Sequence, residues 1–135
     1  WAWAIARAGK WIENRTWCVS YRGPLVVCAS KTTVSLPSGR AALSALGVEL
    51  SEDELRDELH FGCTVALVEL VNCVRLADGQ RTLGRDVHAS PWAEGPWCWV
   101  LENVRPLEPV PVTGRQGLFG VPRNIIHLEG TRCAS

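Results

Sequence analysis

Residues 63–74 constrain the fold more than any other stretch of the chain. This run is rich in valine and leucine and holds neither glycine nor proline, which predicts one long β-strand and therefore a sheet around it. A period of two would divide its side chains between two faces. One face would carry Cys63, Val65, Leu67, Glu69, Val71 and Cys73, and the other Thr64, Ala66, Val68, Leu70, Asn72 and Val74.

Glu69 is the anomaly within this strand. A carboxylate in mid-strand among apolar residues needs a partner or a proton. Lys10 and Arg15, which we expect one strand away, are the candidate partners. Two interpretations stay open: a satisfied ion pair without chemistry, or a catalytic carboxylate.

A second informative stretch begins at Gly9, which predicts the end of a helix because glycine takes the left-handed conformation at little cost. Beyond it, Trp11, Glu13, Arg15 and Trp17 would share one face of a strand, with Glu13 and Arg15 about 6.5–7 Å apart. This face combines charge with flat rings on which a base could stack. A structural ion pair at the rim of a barrel would explain the same residues.

The remaining pattern predicts a mixture of helices and strands. We expect a helix over residues 1–8 that buries Trp1, Ala4, Ile5 and Ala8, a buried strand over 25–29, helices over 41–46 and 52–59, and strands over 97–104 and 124–129. Residues 76–96 form a predicted loop that is longer than usual for a compact domain. Such a loop is typical of a lid, a binding segment or a tether.

Composition limits the class of protein. A chain of 135 residues is long enough to bury a core, and we expect one domain over residues 1–135. The net charge of zero argues against a strongly basic nucleic-acid binder, although basic residues dominate 1–46 and acidic residues dominate 47–60. No apolar run approaches the roughly 20 residues that span a bilayer, so no membrane partner is expected. Because the chain begins at Trp1, we expect a fragment or a processed product.

The six cysteines predict neither a metal site nor a disulfide framework. They form no CxxC pair, and the histidines are not at zinc-finger spacing. Cys28, Cys63, Cys73 and Cys98 lie in apolar runs and are predicted to be buried thiols. This pattern favours a reducing, cytoplasmic setting and implies no cofactor.

An ordered set of short motifs resembles the ASCH domain family along nearly the whole chain. The motifs are Trp1-Ala2; Gly9-Lys10 with Glu13, Arg15 and Trp17; Arg22-Gly23 with Leu25; Ala29-Ser30; Gly62-Cys63 with Glu69, Asn72 and Cys73; Trp99, Leu101, Glu102, Asn103, Arg105, Pro106 and Leu107; and Pro111, Gly114, Gln116, Gly117 and Leu118. The family usually has a proline just before the Trp-Ala pair, and because the sequence starts at Trp1 we expect the opening of the domain to be missing from it. Phe119 stands where tryptophan is typical of the family.

The resemblance implies an α+β fold, a PUA-like mixed β-barrel of about five to six strands with two to three flanking helices. It also implies a cleft lined by the Lys10–Arg15 motif and Glu69, and RNA as a ligand. Some bacterial members resemble amidohydrolases of N-acetylated cytidine that use a Lys, a Thr and a Glu. Lys10 and Glu69 match two of these positions, but Glu13 stands at the Thr position and cannot act as a hydroxyl nucleophile.

Three functions follow as hypotheses. The first is binding of RNA, a nucleotide or a nucleoside through Lys10, Trp11, Glu13, Arg15, Trp17, Arg22 and Arg115. The second is hydrolysis of an N-acetylated cytidine-type nucleoside or of RNA, with Lys10, Glu69 and Glu13 as catalytic residues. The third is a protein-interaction module of a transcription or translation regulator, with tryptophans as anchors for a protein partner.

Overall fold

The computed structural model describes residues 2–29, 44, 45, 47, 49, 51, 62–79, 81, 82, 84–115 and 117–130. Its elements, in chain order, are α1 (Ala2–Arg7), β1 (Ile12–Arg15), β2 (Gly23–Cys28), β3 (Thr64–Arg75), a 3₁₀ turn (Leu76–Asp78), β4 (Arg81–Thr82), β5 (Arg85–Asp86), β6 (Trp97–Pro106) and a second 3₁₀ turn (Arg123–Ile125).

Four of these strands form an antiparallel sheet in the order β1-β6-β3-β2, and β4 pairs with β5 as a separate hairpin. The described part of the chain is therefore mostly β, with one short helix against the sheet. Within these residues β1 and β2 are open edges, and no closed barrel is formed. The predicted helices over 41–46 and 52–59 lie largely outside the described residues, although 44 and 45 are helical.

The long strand β3 is interrupted by a bulge. Leu70 pairs with Leu101 and Asn72 pairs with Val100, so Val71 is one residue more than β6 can match. An extra residue in one strand shifts the side chains that follow to the other face. The predicted strict period of two is therefore wrong beyond this point.

Two apolar clusters cover the two faces of the sheet, because alternate residues of β6 belong to different clusters. The Val87 cluster contains Ala4, Ile12, Val74, Val87, Trp92, Cys98 and Val100. The Trp99 cluster contains Ile5, Val19, Ala66, Val68, Leu70, Trp99 and Leu101. The helix α1 contributes to both, and the predicted burial of Ala4 and Ile5 is confirmed. Ala8 is only half-buried, and Trp1 lies outside the described residues.

The predicted loop over 76–96 is a packed structure. It contains the β4–β5 hairpin, and Val87 and Trp92 are buried in the Val87 cluster. The backbone amide of Leu76 donates to the carbonyl oxygen of Pro96 at 3.0 Å, which ties the start of the loop to its end. Val87 and Trp92 therefore anchor this segment to the core, although most of its described residues are exposed.

Two other predictions need correction. The predicted strand over 25–29 is β2, which is only half-buried because it pairs with β3 alone among the described strands. Residues 124–129 do not form a strand, since Pro122 leads into a 3₁₀ turn and Leu128 alone makes a bridge, to Leu107.

A second bulge lies in β6, where Leu67 pairs with Arg105 but Glu69 pairs with Glu102. Asn103 lies in this bulge with a φ of 50°, the left-handed conformation that asparagine tolerates better than most residues. Beyond the bulge β6 ends at Pro106, consistent with the inability of proline to donate to a ladder.

Among the described residues, no helix has the length and hydropathy that a bilayer crossing requires.

Candidate functional site

Lys10 lies at the centre of the candidate site and is buried. It follows the end of α1, where the Lys10 amide donates to the carbonyl oxygen of Ala4 at 3.1 Å. Only 3% of its side chain is exposed. Its Nζ donates to the carbonyl oxygen of Ile12 and lies 3.4 Å from Oε2 of Glu13.

Burial lowers the pKa of Lys10 below its ordinary value of 10.5, because desolvation disfavours the ammonium form. The carboxylates of Glu13 and Glu94 oppose this shift, and the Arg15 guanidinium adds to it. Because of the lowered pKa, a larger fraction of this amine than of an exposed lysine is neutral at a given pH, and only the neutral form can accept a proton.

Glu13 and Arg15 share a face of β1, as predicted. The Nη2 of Arg15 lies 3.3 Å from Oε1 of Glu13. Because Glu13 also contacts Lys10, one carboxylate connects a buried cation with an exposed one. The side chain of Glu13 is 24% exposed and that of Arg15 is 48% exposed, so a ligand can reach both.

Trp99 and Trp17 form the aromatic wall of the site. Their rings meet edge to face with centroids 4.8 Å apart, and the Trp99 indole donates to the carbonyl oxygen of Trp17 at 3.2 Å. The guanidinium of Arg15 lies over the Trp99 ring, with its Cζ atom 5.5 Å from the ring centroid. Trp99 was not among the predicted site residues. The signal for it was the tryptophan alternation in β6, the strand that pairs with β1.

Trp11 does not share this wall. It precedes β1 and packs against the Val87 cluster on the other face of the sheet. The Cζ atom of Arg85 lies 4.9 Å from the centroid of its ring. The alternation that predicted a common face for Trp11 and Trp17 assumed that both belong to the strand, and β1 spans only Ile12–Arg15.

Glu69 lies away from Lys10 and Arg15. It belongs to β3, and β6 separates β3 from β1 in the sheet, so the predicted neighbouring position is wrong. Its carboxylate is half-buried and lies 3.9 Å from Nη2 of Arg105. The partner of this mid-strand carboxylate is therefore a residue of β6.

The two remaining predicted binding residues differ in their surroundings. Arg22 uses Nη1 to donate to the backbone carbonyls of Val19 and Tyr21, at 2.8 and 2.9 Å, so it stabilises its own loop. Arg115 is exposed and lines the same open cleft as Glu13, Arg15 and Trp17.

The sequence pattern does not single out Asn14, although its side chain holds the site to the rest of the molecule. Its Oδ1 accepts from the backbone amides of Glu94 and Gly95, both at 2.9 Å, and its Nδ2 donates to the Trp92 carbonyl at 2.9 Å. One side chain thus connects β1 to the end of the 76–96 segment. A lone asparagine in a short strand gives no local signal of such contacts.

The cysteines do not form a metal site with the other described side chains, which contain no cluster of three His, Cys, Asp or Glu able to hold an ion. Cys18, Cys28, Cys63, Cys73 and Cys98 are free thiols. Cys63 and Cys98 are buried as predicted, whereas Cys28 and Cys73 are half-buried.

Comparison with protein-family models and with curated proteins gave no match to this chain.

Proposed function

We propose that this chain is an ASCH domain with a PUA-like barrel, and that it binds single-stranded RNA or a nucleotide at the site formed by Glu13, Arg15 and Trp17. The antiparallel sheet and the ordered motifs support the family proposal. The observation that carries the binding proposal is the exposed Arg15 guanidinium, held between the Glu13 carboxylate and the Trp99 ring.

Each group in the site matches a chemical feature of a nucleotide. The Arg15 guanidinium can donate to a phosphate or to a base edge, and the Glu13 carboxylate can accept from an exocyclic amine. Trp17 is 37% exposed and offers a surface for stacking. Lys10 is buried behind Glu13, so its role in this proposal is to fix the carboxylate.

The test is fluorescence anisotropy with labelled single-stranded RNA at low and high salt. The key variant is Arg15→Ala, and Arg7→Ala is the matched control, because Arg7 is also an exposed arginine paired with a carboxylate, that of Glu129. We expect Arg15→Ala to weaken binding about tenfold and Arg7→Ala to leave it within about twofold. Equal effects of the two substitutions, or no binding by the unmodified chain at low salt, would contradict the proposal.

A second candidate function is hydrolysis of an N-acetylated cytidine-type nucleoside. The observation that favours it is the buried Lys10 amine, with its lowered pKa, 3.4 Å from the Glu13 carboxylate. In its neutral form the amine would take a proton from water as the water oxygen bonds to the acetyl carbonyl carbon. The Lys10 ammonium would then return that proton to N4 of the base as the amide C–N bond breaks, which gives acetate and cytidine and restores the neutral amine. Glu13 replaces Glu69 as the partner of Lys10 in this scheme.

Chromatographic detection of cytidine from N4-acetylcytidine tests this second candidate. We expect turnover that rises with pH, because the neutral amine is the active form, and that falls at least 100-fold in Lys10→Met. Glu69→Gln serves as the control, since Glu69 contacts Arg105, and it should keep the activity. Equal turnover by Lys10→Met and the unmodified chain would exclude the scheme.

A further inference from the structure

Three residues on adjacent strands form a row beside the candidate site. The register pairs Arg15 of β1 with Trp97 of β6, and Trp97 with Arg75 of β3. Directly opposed residues share a face of a sheet, so these side chains lie side by side. Two strand spacings of about 4.8 Å separate the two arginines at the backbone.

The second arginine of the row is also stacked on a ring. The Arg75 guanidinium lies 5.0 Å from the centre of the Trp97 ring. Arg75 is exposed and forms no ion pair with any described carboxylate. A stacked guanidinium is pre-oriented, and without a carboxylate partner it keeps its hydrogen-bond donors for a ligand.

We propose that Arg15, Trp97 and Arg75, together with Trp17, form a stacking platform for unpaired nucleotides of a single-stranded RNA. The proposal rests on the proposed function and extends the binding site across three strands. Bases stack on the exposed parts of Trp97 and Trp17, and phosphates pair with the two arginines. Few phosphates are then neutralised, which agrees with a chain of zero net charge.

Arg–Trp contacts suit a nucleic acid, because bases stack on aromatic rings and phosphates pair with arginine. Cation–π contacts of all kinds occur about once per 70–80 residues, and the described residues contain three Arg–Trp contacts. Two of them lie on one face of the sheet, next to an exposed tryptophan. Arg85 on Trp11 is the third, and it lies against the Val87 cluster on the other face.

This third stack provides a matched control. Arg85→Ala removes an exposed arginine from a tryptophan, as Arg75→Ala does, with the same loss of charge, but outside the row. The probe is fluorescein-labelled oligouridylate or oligoadenylate of about eight nucleotides, followed by anisotropy at several salt concentrations. A self-complementary RNA duplex of similar length provides paired bases for comparison.

We expect Arg75→Ala to weaken binding about five- to tenfold and to reduce the slope of log K against log salt by about 0.7, while Arg85→Ala stays within about twofold. Trp97→Phe should keep most of the affinity and Trp97→Leu should lose about tenfold, because phenylalanine preserves stacking. The duplex should bind more weakly than the single strands.

The outcomes separate this inference from the proposed function. If Arg15→Ala abolishes binding while Arg75→Ala and Arg85→Ala behave alike, the platform is wrong and the Arg15 site stands. Equal affinity for duplex and single strands would also overturn the platform. Failure of the unmodified chain to bind RNA at low salt overturns both, and a protein captured through Trp17 and Trp97 would then become the better explanation of the row.

Discussion

Lys10 keeps an ammonium group in a position where 97% of its side chain is removed from solvent. The cost of desolvation exceeds the help from Glu13, which is why the pKa falls even though a carboxylate lies 3.4 Å away. The carbonyl oxygen of Ile12 supplies one hydrogen-bond acceptor. Such a residue costs stability at neutral pH, and this cost can be measured.

Lys10→Met is expected to stabilise the protein at pH 7 and to change its response to pH. The folded protein releases the Lys10 proton at lower pH than the unfolded chain, so between the two pKa values unfolding takes up a proton. The free energy of unfolding therefore rises with pH between the lowered pKa and 10.5, by at most about 1.4 kcal/mol per pH unit.

Urea unfolding of both proteins from pH 7 to pH 10 tests this expectation. The raised pKa values of the buried thiols act in the opposite direction above pH 9, so the informative quantity is the difference between the two proteins. That difference should shrink as the pH rises. A constant difference would show that Lys10 is not desolvated.

Asn14 is the other residue whose environment leads to a quantitative prediction. Asn14→Ala leaves the backbone amides of Glu94 and Gly95 without their acceptor, and this should cost about 2–3 kcal/mol. Asn124→Ala, at an exposed position in the second 3₁₀ turn, should change stability by less than about 0.5 kcal/mol. Hydrogen exchange of residues 92–97 provides a local readout. Unchanged exchange there in Asn14→Ala would contradict the assigned role.

At the level of elements, the sequence predicts features that depend on neighbouring residues in the chain and does not predict features that depend on pairing between distant strands. The buried face of α1 and the common face of Glu13 and Arg15 follow from periodicity within a few residues. The bulge at Val71 does not follow from periodicity, because it depends on how β3 pairs with β6. A period of two read from one strand cannot reveal a mismatch with its partner.

The candidate site divides in the same way. Lys10, Glu13, Arg15 and Trp17 were predicted together because they lie within eight positions of one another. Glu69 was placed beside them by assuming that β1 and β3 are neighbours, and β6 lies between these strands. Trp97 and Arg75 join the row through the register alone. Contacts between distant segments were the part that could not be predicted.

The bulge in β6 gives a prediction at this scale. Asn103 has a φ of 50°, a backbone conformation that a β-branched residue adopts only with strain. Asn103→Val should therefore destabilise the protein by about 1–2 kcal/mol, while Asn103→Gly should have little effect or a small stabilising one. Thermal and urea unfolding of the pair provide the measurement. If valine is tolerated as well as glycine, the backbone at this position is not constrained by the bulge.

For the whole molecule, the two apolar clusters on opposite faces of the sheet share β6, β3 and α1. Loss of packing on one face therefore disturbs strands that also support the other. We expect the described sheet to unfold cooperatively, and the cysteines offer probes of this behaviour because they differ in exposure.

Thiol labelling with peptide-level mass spectrometry tests this cooperativity. Cys18 is exposed and should react rapidly, while Cys98 is fully buried and has a pKa raised by burial, so it should react only when the molecule opens. Asn103→Val should accelerate labelling of Cys98 about tenfold for each 1.4 kcal/mol of destabilisation and leave Cys18 unchanged. Rapid labelling of Cys98 in the unmodified chain would show that it is reached by local motion.

The extra residue Val71 also bears on how this sequence can change over evolutionary time. Because it sets which side of β3 each later side chain occupies, deleting one residue between Leu70 and Cys73 would move every later side chain of the strand to the opposite face and so to the other apolar cluster. Substitutions of Val71 leave the later side chains on their present faces. Related sequences should therefore vary in the identity of this residue more readily than in the number of residues that separate Leu70 from Cys73.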